Sequence, residues 1–393
     1  MDNGQVNRGS GDRMGGANLP ALRGHNEALL LDLLRGAGPA GLGRSELAAR
    51  TGLTPQAVSK ITARLGAEGL VAEAGRAAST GGKPRTLLRL VPEARYAVGV
   101  HLDRDELRAV RVDLTGRVVA ELAGPLDFGA GPEAAVQVVE AAVREVARGA
   151  DPAAGPVALA GVGVAAPGPL DHWAGVMGRV TGFPQWEGFG LREVLEGRLG
   201  VPVVLDKDTN AGAAAAAAGF RAGGFGAGFF AGGPGAAVYV HVGTGLGAGL
   251  WLGGGVYRGA RSAAGEFGHQ VLRLDGPACR CGGRGCAEVL CLGAVARGDL
   301  REAARILGEG VANLVALLDV DRVWLGGRVV AAAPEVFVAG VRGVLGGRMA
   351  PPVRLVVGSV SPPVVGPVVE LAEVGVAEGA AELALASLFG RAG

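Results

Sequence analysis

The chain has 393 residues and a formal net charge of +1, long enough for two or three domains with cores of their own and too balanced to be defined by a polybasic or polyacidic tail. Only four cysteines are present, which excludes a disulfide framework and fits a reducing, cytoplasmic setting. The 72 glycines and the hydrophobic fraction of 49% come from Ala, Gly, Val, Arg and Pro, whose codons are GC-rich, and point to genome bias rather than low-complexity disorder.

Residues Met1 to Ala17 are polar and Gly-rich with no apolar h-region, so no signal peptide is expected and residues 1–18 read as a disordered tail. Leu22, Leu29, Leu30, Leu33 and Leu34 then recur at helical spacing up to the break at Gly36-Ala37-Gly38-Pro39. A short helix stopping at Gly52 and a second one starting with Thr54 as N-cap and Pro55 at the first helical position make a helix-turn-helix. Leu47, Leu53, Val58, Ile61 and Leu65 form its core, leaving Gln56, Ser59, Lys60 and Arg64 facing outward. The segment Leu70 to Leu90 predicts two strands around a basic, Gly-rich loop from Arg76 through Lys83 to Arg85, the composition a wing needs to approach phosphates. Ten basic residues face five acidic ones between Leu19 and Pro92, a net +5, while the rest of the chain beyond the tail carries −4. A basic module on a mildly acidic body is the electrostatic footprint of a DNA-binding domain.

From Tyr96 the pattern becomes α/β. Strands are predicted over Tyr96 to His101 and Glu106 to Asp113, with a turn at Asp103-Arg104-Asp105 and a further strand after Thr115-Gly116. A helix from Pro132 to Arg148 precedes a buried strand from Val157 to Ala165. The next strand, Val201 to Leu205, leads into Asp206-Lys207-Asp208-Thr209-Asn210 and an Ala-rich helix; polar residues at such a junction are a usual address for ligand chemistry. A strand from Ala237 to Val242 runs into Gly243-Thr244-Gly245-Leu246-Gly247-Ala248-Gly249, where the Thr244 hydroxyl and neighbouring amides could cradle a phosphate. The charge-free stretch Ala222 to Tyr257 is broken by glycines and Pro234 and does not read as a membrane span.

The most specific signal lies between Glu266 and Glu288. His269, Cys279, Cys281 and Cys286 form a Cys3His set in a Gly-rich loop, the ligand chemistry of a closed, structural zinc site. A metal that pins this loop also fixes the bracketing carboxylates Glu266 and Glu288. Cys291, beyond the run on a predicted helix, reads as a core residue.

On these residues the chain resembles the ROK family, whose members are repressors, open reading frames of unknown role and sugar kinases. The resemblance covers nearly everything from Leu19 onward. It is carried by Glu266-x-x-His269, the Cys279-to-Cys286 run ending in Glu288, the Gly243-to-Gly249 loop and Val323-Trp324-Leu325-Gly326-Gly327. Arg23-x-x-Asn26 and Ser79-Thr80-Gly81-Gly82-Lys83-Pro84 look like ROK repressors in particular. The resemblance implies an α/β fold in which an N-terminal winged helix-turn-helix (residues 19–92) precedes two actin-like or RNase H-like α/β subdomains (residues 93–393) with a sugar cleft between them. It places the family's catalytic base on Asp208 and its sugar contacts on Glu266, His269 and Glu288.

The departures are equally informative. Kinases of the family carry an acidic-Gly-Gly-Thr loop for ATP phosphates and magnesium, where this chain has Val100-His101-Leu102-Asp103-Arg104-Asp105, without glycine or threonine. Lost backbone room and the added negative charge of Asp103 and Asp105 predict poor ATP binding. A family asparagine is replaced by Lys207 and another by Gly182. Lys207 is expected at the cleft rim, favouring a negatively charged ligand, unless it pairs with Asp206 or points to solvent. The resulting expectation is a cytoplasmic, non-enzymatic repressor that binds operator DNA through Gln56, Ser59, Lys60, Arg64, Arg76, Lys83 and Arg85. Its effector would be a sugar or sugar phosphate held by Lys207, Asp208, Glu266, His269 and Glu288, and it would act as a homodimer or homotetramer. The alternatives are an active ROK-type sugar kinase with an attached DNA-binding domain, and a body regulated by a protein partner.

Overall fold

A computed structural model describes residues 19–76, 85–149, 157–222, 235–348, 367–372 and 375–391. The N-terminal tail and the wing loop with Lys83 lie outside the described residues, as does the side chain of Arg76.

The N-terminal unit contains α1 (Leu19–Ala37), β1 (Leu42–Gly43), α2 (Arg44–Thr51), α3 (Pro55–Ala67), β2 (Val71–Arg76) and β3 (Thr86–Leu90). Gly52, at φ +70°, ends α2 in the left-handed conformation that glycine adopts without steric cost. Thr54 Oγ1 accepts from Ala57 N at 3.2 Å and Pro55 opens α3, satisfying an orphan donor where the chain turns. Leu47, Val58, Ile61 and Leu65 are buried with Leu30, Leu34, Leu88 and Leu90, while Leu53 packs half-buried at the margin. The strands form an antiparallel sheet in the order β1-β3-β2, so this is a winged helix-turn-helix.

Two lobes of one plan follow. The first contains β4 (Tyr96–Leu102), β5 (Glu106–Asp113), β6 (Val118–Pro125), α4 (Pro132–Val146), β7 (Leu159–Ala166), β8 (Leu170–Asp171), β9 (Val176–Met177), α5 (Leu191–Leu199), β10 (Val203–Lys207) and α6 (Asp208–Ala222). The second contains β11 (Ala236–Val242), β12 (Leu246–Leu252), β13 (Gly255–Tyr257), α7 (Ala287–Ala296), α8 (Leu300–Leu318), β14 (Arg322–Gly326), α9 (Arg328–Ala332), α10 (Pro334–Arg348), β15 (Val368–Leu371) and α11 (Val376–Leu385). In the first sheet an antiparallel meander β4-β5-β6 is extended by parallel β7 and β10. The second sheet repeats this, with β11-β12-β13 extended by β14 and β15.

Helices α4 and α5 cover the outer face of the first sheet, and α7, α8 and α10 that of the second. The inner faces meet through α6 and α11, both rich in Ala and Gly. A Cβ on Gly99 or Gly163 would collide with the carbonyl oxygens of Ala377 or Ala380, so α11 lies directly on β4 and β7 only because these positions lack one. Part of the glycine excess is therefore demanded by packing, a correction to its reading as genome bias alone. Continuing past α11, the chain meets α1: Arg35 Nη1 donates to Glu382 Oε2 at 3.0 Å, and Arg391 pairs with Asp32. The winged-helix core is thus continuous with the first lobe. No helix among the described residues is long and apolar enough to cross a membrane.

Candidate functional site

Between the lobes lies a cleft of about 360 Å³, small but within the range of small-molecule sites. The β10–α6 junction, the β11–β12 turn, the Glu266–His269 turn and the start of α7 supply its walls, bringing Lys207, Asp208, Glu266, His269 and Glu288 to one cavity. Asp208 is half-buried, and its Oδ1 accepts from the next amide, Thr209 N, at 2.6 Å. Glu288, in the first turn of α7, accepts from Leu246 N at 3.0 Å.

Lys207 is not at the rim. It is 3% exposed, and its Nζ donates to Ala264 O and to Glu266 Oε1, the latter at 3.2 Å. Its side chain lies in the cleft wall, and β10 continues two residues further than the hydrophobic run suggested, to Lys207 itself. Nor does Lys207 pair through its ammonium with Asp206. That buried carboxylate accepts from Arg258 Nε at 2.8 Å, from Asn210 Nδ2 at 2.7 Å and from the Lys207 backbone amide at 2.8 Å.

Part of the Gly243–Gly249 segment is already engaged, while Thr244 and Gly245 line the cleft. Gly243 N donates to Gly245 O at 2.9 Å and Leu246 N to Glu288, so these amides are already engaged, and from Leu246 onward the chain is strand. The Thr244 hydroxyl donates to Asp103 Oδ1 at 2.9 Å. Gly249 lacks a side chain because a Cβ would strike Thr209 O at the start of α6.

Asp103 and Asp105 do not stand as free negative charge. Arg328, the first residue of α9, donates to both oxygens of Asp105 at 2.9 and 2.8 Å and to Asp103 Oδ2 at 3.0 Å. The bidentate fork holds the Asp105 carboxyl below the usual carboxylate range. Behind this clasp, His101 Nε2 is buried without a hydrogen-bond partner among the described residues, and burial pushes the His101 pKa down to about 4. His241 stands beside it at 6.2 Å between ring centroids, with Nδ1 3.1 Å from the Tyr239 hydroxyl. Sequence reasoning missed His101, Arg104, His241, Arg258 and Arg328. The polar residues His101 and His241 on otherwise apolar strands were the available signal.

The ligand atoms of His269, Cys279, Cys281 and Cys286 all lie within 4.8 Å of one another. His269 Nδ1 is 3.8 Å from Cys279 Sγ, and Cys281 Sγ is 3.7 Å from Cys286 Sγ. Tetrahedral bonds of about 2.3 Å to sulfur place sulfurs roughly 3.8 Å apart, so the cluster could hold a metal ion. Cys291 is buried elsewhere, its thiol donating to Ala303 O at 3.5 Å, and burial pushes its pKa up to about 12. In the N-terminal unit, Gln56, Ser59 and Lys60 are exposed on α3, and Arg85 is exposed at the start of the second wing strand. Arg64 forms an ion pair with Glu27 of α1, with 40% of its side chain exposed.

The ROK family model matches residues 131–297. The xylose repressor of Bacillus subtilis (strain 168) is 28% identical over 264 residues, covering 67% of this chain and 65% of that protein, which is under two thirds of its length. The DNA-binding transcriptional dual regulator NagC of Escherichia coli (strain K12) is 30% identical over 306 residues, 77% of this chain and 70% of NagC. The crystal structure of a ROK family transcriptional regulator, a homologue of the E. coli MLC protein, superposes with a TM-score of 0.72 over 94% of this chain and 98% of that one at 18% identity, a likeness of fold. With this extent of matched sequence, reinforced by the family model and the common architecture, the chain belongs to the ROK family.

Proposed function

We propose that this chain is a transcriptional regulator of repressor type, in which residues 19–92 bind operator DNA and residues 93–393 bind a sugar or sugar derivative without phosphorylating it. One observation carries the reading. A solvent-facing helix with Gln56, Ser59 and Lys60 shares a core, through α1 and α11, with the first lobe, whose phosphate-loop position is filled by Asp103-Arg104-Asp105 and clasped by Arg328. With Arg328 on the two aspartates and the Thr244 hydroxyl on Asp103, the carboxylates that would hold a nucleotide's magnesium are satisfied internally, and Asp208 lacks the phosphoryl donor that a catalytic base requires. Internal satisfaction replaces simple acidic repulsion as the reason. The relatives named xylose repressor and NagC support the same direction.

In this reading, Lys60, Arg76, Lys83 and Arg85 contact phosphates, while Gln56 and Ser59 read base edges. Arg64 supports α3 through Glu27 rather than contacting DNA. Asp208 and Glu288 accept from sugar hydroxyls, with Glu266 shared between the ligand and Lys207, and His269 turned toward the thiolates. The cluster fits zinc: three thiolates and an imidazole close the coordination sphere, giving a structural ion that fixes the loop presenting Glu288. A two-fold homodimer, alone or within a homotetramer, would present two recognition helices to a palindromic site in the cytoplasm.

The test uses the full-length protein. Fluorescence anisotropy on DNA from upstream of its own gene, with and without a sugar panel, is expected to show specific binding that a sugar weakens, while a coupled ATPase assay with the same sugars stays at background. Sugar-dependent ATP turnover at ordinary kinase rates, or affinity for DNA no greater than that of a neutral protein, would overturn the reading.

A further inference from the structure

Lys207 cannot supply the positive charge of the cleft, because Glu266 neutralises it. Arg328 is likewise committed to Asp103 and Asp105. Arg179 is largely exposed and faces Glu187 at 4.0 Å. Among the described residues that line the cleft, this leaves Arg104 as a half-buried guanidinium with no carboxylate at ion-pair distance. Its side-chain contacts are weak: Nη1 reaches Thr244 O at 3.5 Å, the outer limit of a hydrogen bond, and Cζ lies 5.8 Å from the Phe183 ring centroid. A guanidinium has several N–H donors in a rigid fork, and most of these remain unspent.

The surroundings fix the side chain in this role. Asp103 Oδ1 accepts from the Arg104 backbone amide at 2.8 Å, which anchors the turn, while Arg328 draws both flanking carboxylates away from the Arg104 fork. Opposite lies Gly245. A Cβ there would stand 3.7 Å from Arg104 Nη2 and 3.3 Å from Glu288 Oε2, so the missing side chain leaves a gap with a cationic fork on one side and a carboxylate on the other. An anionic group fits the fork bidentately, and a neighbouring hydroxyl can donate to Glu288.

We propose that Arg104 is the anion receptor of this cleft and that the effector is an anionic sugar, bearing a phosphate or a carboxylate beside a free hydroxyl. The assignment rests on reading the cleft as an effector site. It moves the charge preference from Lys207 to a residue on the opposite wall, where the family's kinases are expected to carry a glycine-containing loop.

The experiment is calorimetric titration of the full-length protein with glucose, mannose and N-acetylglucosamine, each beside its 6-phosphate, and with glucuronate as the carboxylate arm. At least one charged ligand is expected to bind about tenfold or more tightly than its neutral counterpart, with affinity falling as salt rises. Arg104→Gln should bring that ratio close to one, and Arg104→Lys should retain part of it, with the unliganded melting temperature unchanged in both. Whether the 6-phosphates or glucuronate respond identifies the anion. If neutral sugars bind as tightly as charged ones, or if Arg104→Gln keeps the ratio, Arg104 is not the receptor, although the cleft reading stands provided Asp208→Asn abolishes the binding. If no member of the panel binds, the cleft reading falls and this proposal falls with it.

Discussion

Lys207 Nζ stands 3.2 Å from Glu266 Oε1 and joins the first lobe to the second across the cleft floor, yet the two partners differ sharply in depth: 4% of the lysine side chain is exposed and 48% of the glutamate. Deleting one partner therefore differs from deleting the other. Glu266→Ala leaves a buried ammonium with only the Ala264 carbonyl, at an expected cost of about 3 kcal/mol, whereas Lys207→Met removes the buried charge and leaves a carboxylate that water can reach. Urea denaturation of both variants is expected to show Glu266→Ala as clearly the less stable. Equal losses would mean that Lys207 is better solvated than its burial indicates.

A second prediction concerns acid. His101 has a folded pKa of about 4 against 6.5 for an ordinary imidazole, with burial the largest cause. The unfolded chain then binds this proton more readily, so stability is unaffected above about pH 7, falls as pH drops below 6.5, and stops falling from this source near pH 4. Burial also lowers the pKa of His172, which adds in the same direction. His101→Leu should flatten part of the slope of melting temperature against pH between 7 and 4, and a double change with His172→Leu more of it. An unchanged slope in the double variant would remove both histidines as its source.

How much of this was legible in the sequence depended on range. The helix-turn-helix could be read because Gly52, Thr54 and Pro55 punctuate the chain locally, and the His/Cys cluster that could hold a metal because its thiols share one short loop. Apolar runs revealed β4, β5, β7, β10 and β11, whereas β13, β14 and β15 were not read as strands. The charge pairs could not be read: Arg328 reaches across more than two hundred positions to Asp103 and Asp105, and Arg258 meets Asp206 inside the fold. Sequence gives no depth, so Lys207 looked like a rim charge. It also does not say which amides a turn consumes: of the glycines after Val242, Gly243 serves the hairpin turn and Gly249 a close helix contact, while Gly245 lines the cleft.

The metal prediction is one zinc per chain, retained through gel filtration without chelator and measured by elemental analysis. Cys281, the exposed ligand, is the least disruptive to change. Cys281→Ser should lower zinc content and melting temperature together and weaken sugar binding through the loosened Glu288, while Cys291→Ser leaves zinc content unchanged. Full zinc occupancy in the Cys281→Ser protein would exclude the four-ligand assignment.

For DNA, the contacts divide by chemistry. Arg85→Gln should weaken binding to all sequences alike and reduce the slope of log affinity against log salt by about one, as expected for one lost phosphate contact. Gln56→Ala should leave the slope unchanged and relax discrimination at particular base pairs, by about 1–3 kcal/mol per pair. Arg64→Gln should act mainly on stability, because its partner is Glu27. Anisotropy over a salt series on operator and scrambled DNA separates the three.

The last prediction addresses how the cleft would speak to the DNA-binding unit. Arg35 of α1 and Glu382 of α11 form a two-hydrogen-bond pair, each side chain 9% exposed, and Arg391 also approaches Glu382 at 3.5 Å. Arg35 additionally lies over the Phe389 ring at 4.7 Å. Since α11 rests on the first sheet and against α6, which begins at Asp208 in the cleft, this pair is the polar end of a continuous packed route from cleft to winged helix. Glu382→Ala leaves two guanidiniums beside each other with their shared carboxylate gone, at an expected cost of about 3–5 kcal/mol. Replacing both partners with apolar residues, Arg35→Met with Glu382→Leu, should restore most of that stability, because no buried charge is left unpaired. The double variant should still bind operator but lose part of the sugar-induced release, since a ligand shifts DNA affinity only through a difference between two states, and the directional link that lets α1 distinguish them has been removed. Stability is read by urea denaturation and release by anisotropy with the active sugar. Wild-type release from a stable double variant would show that the signal travels through apolar packing alone and that the ion pair serves only to hold α1 in place.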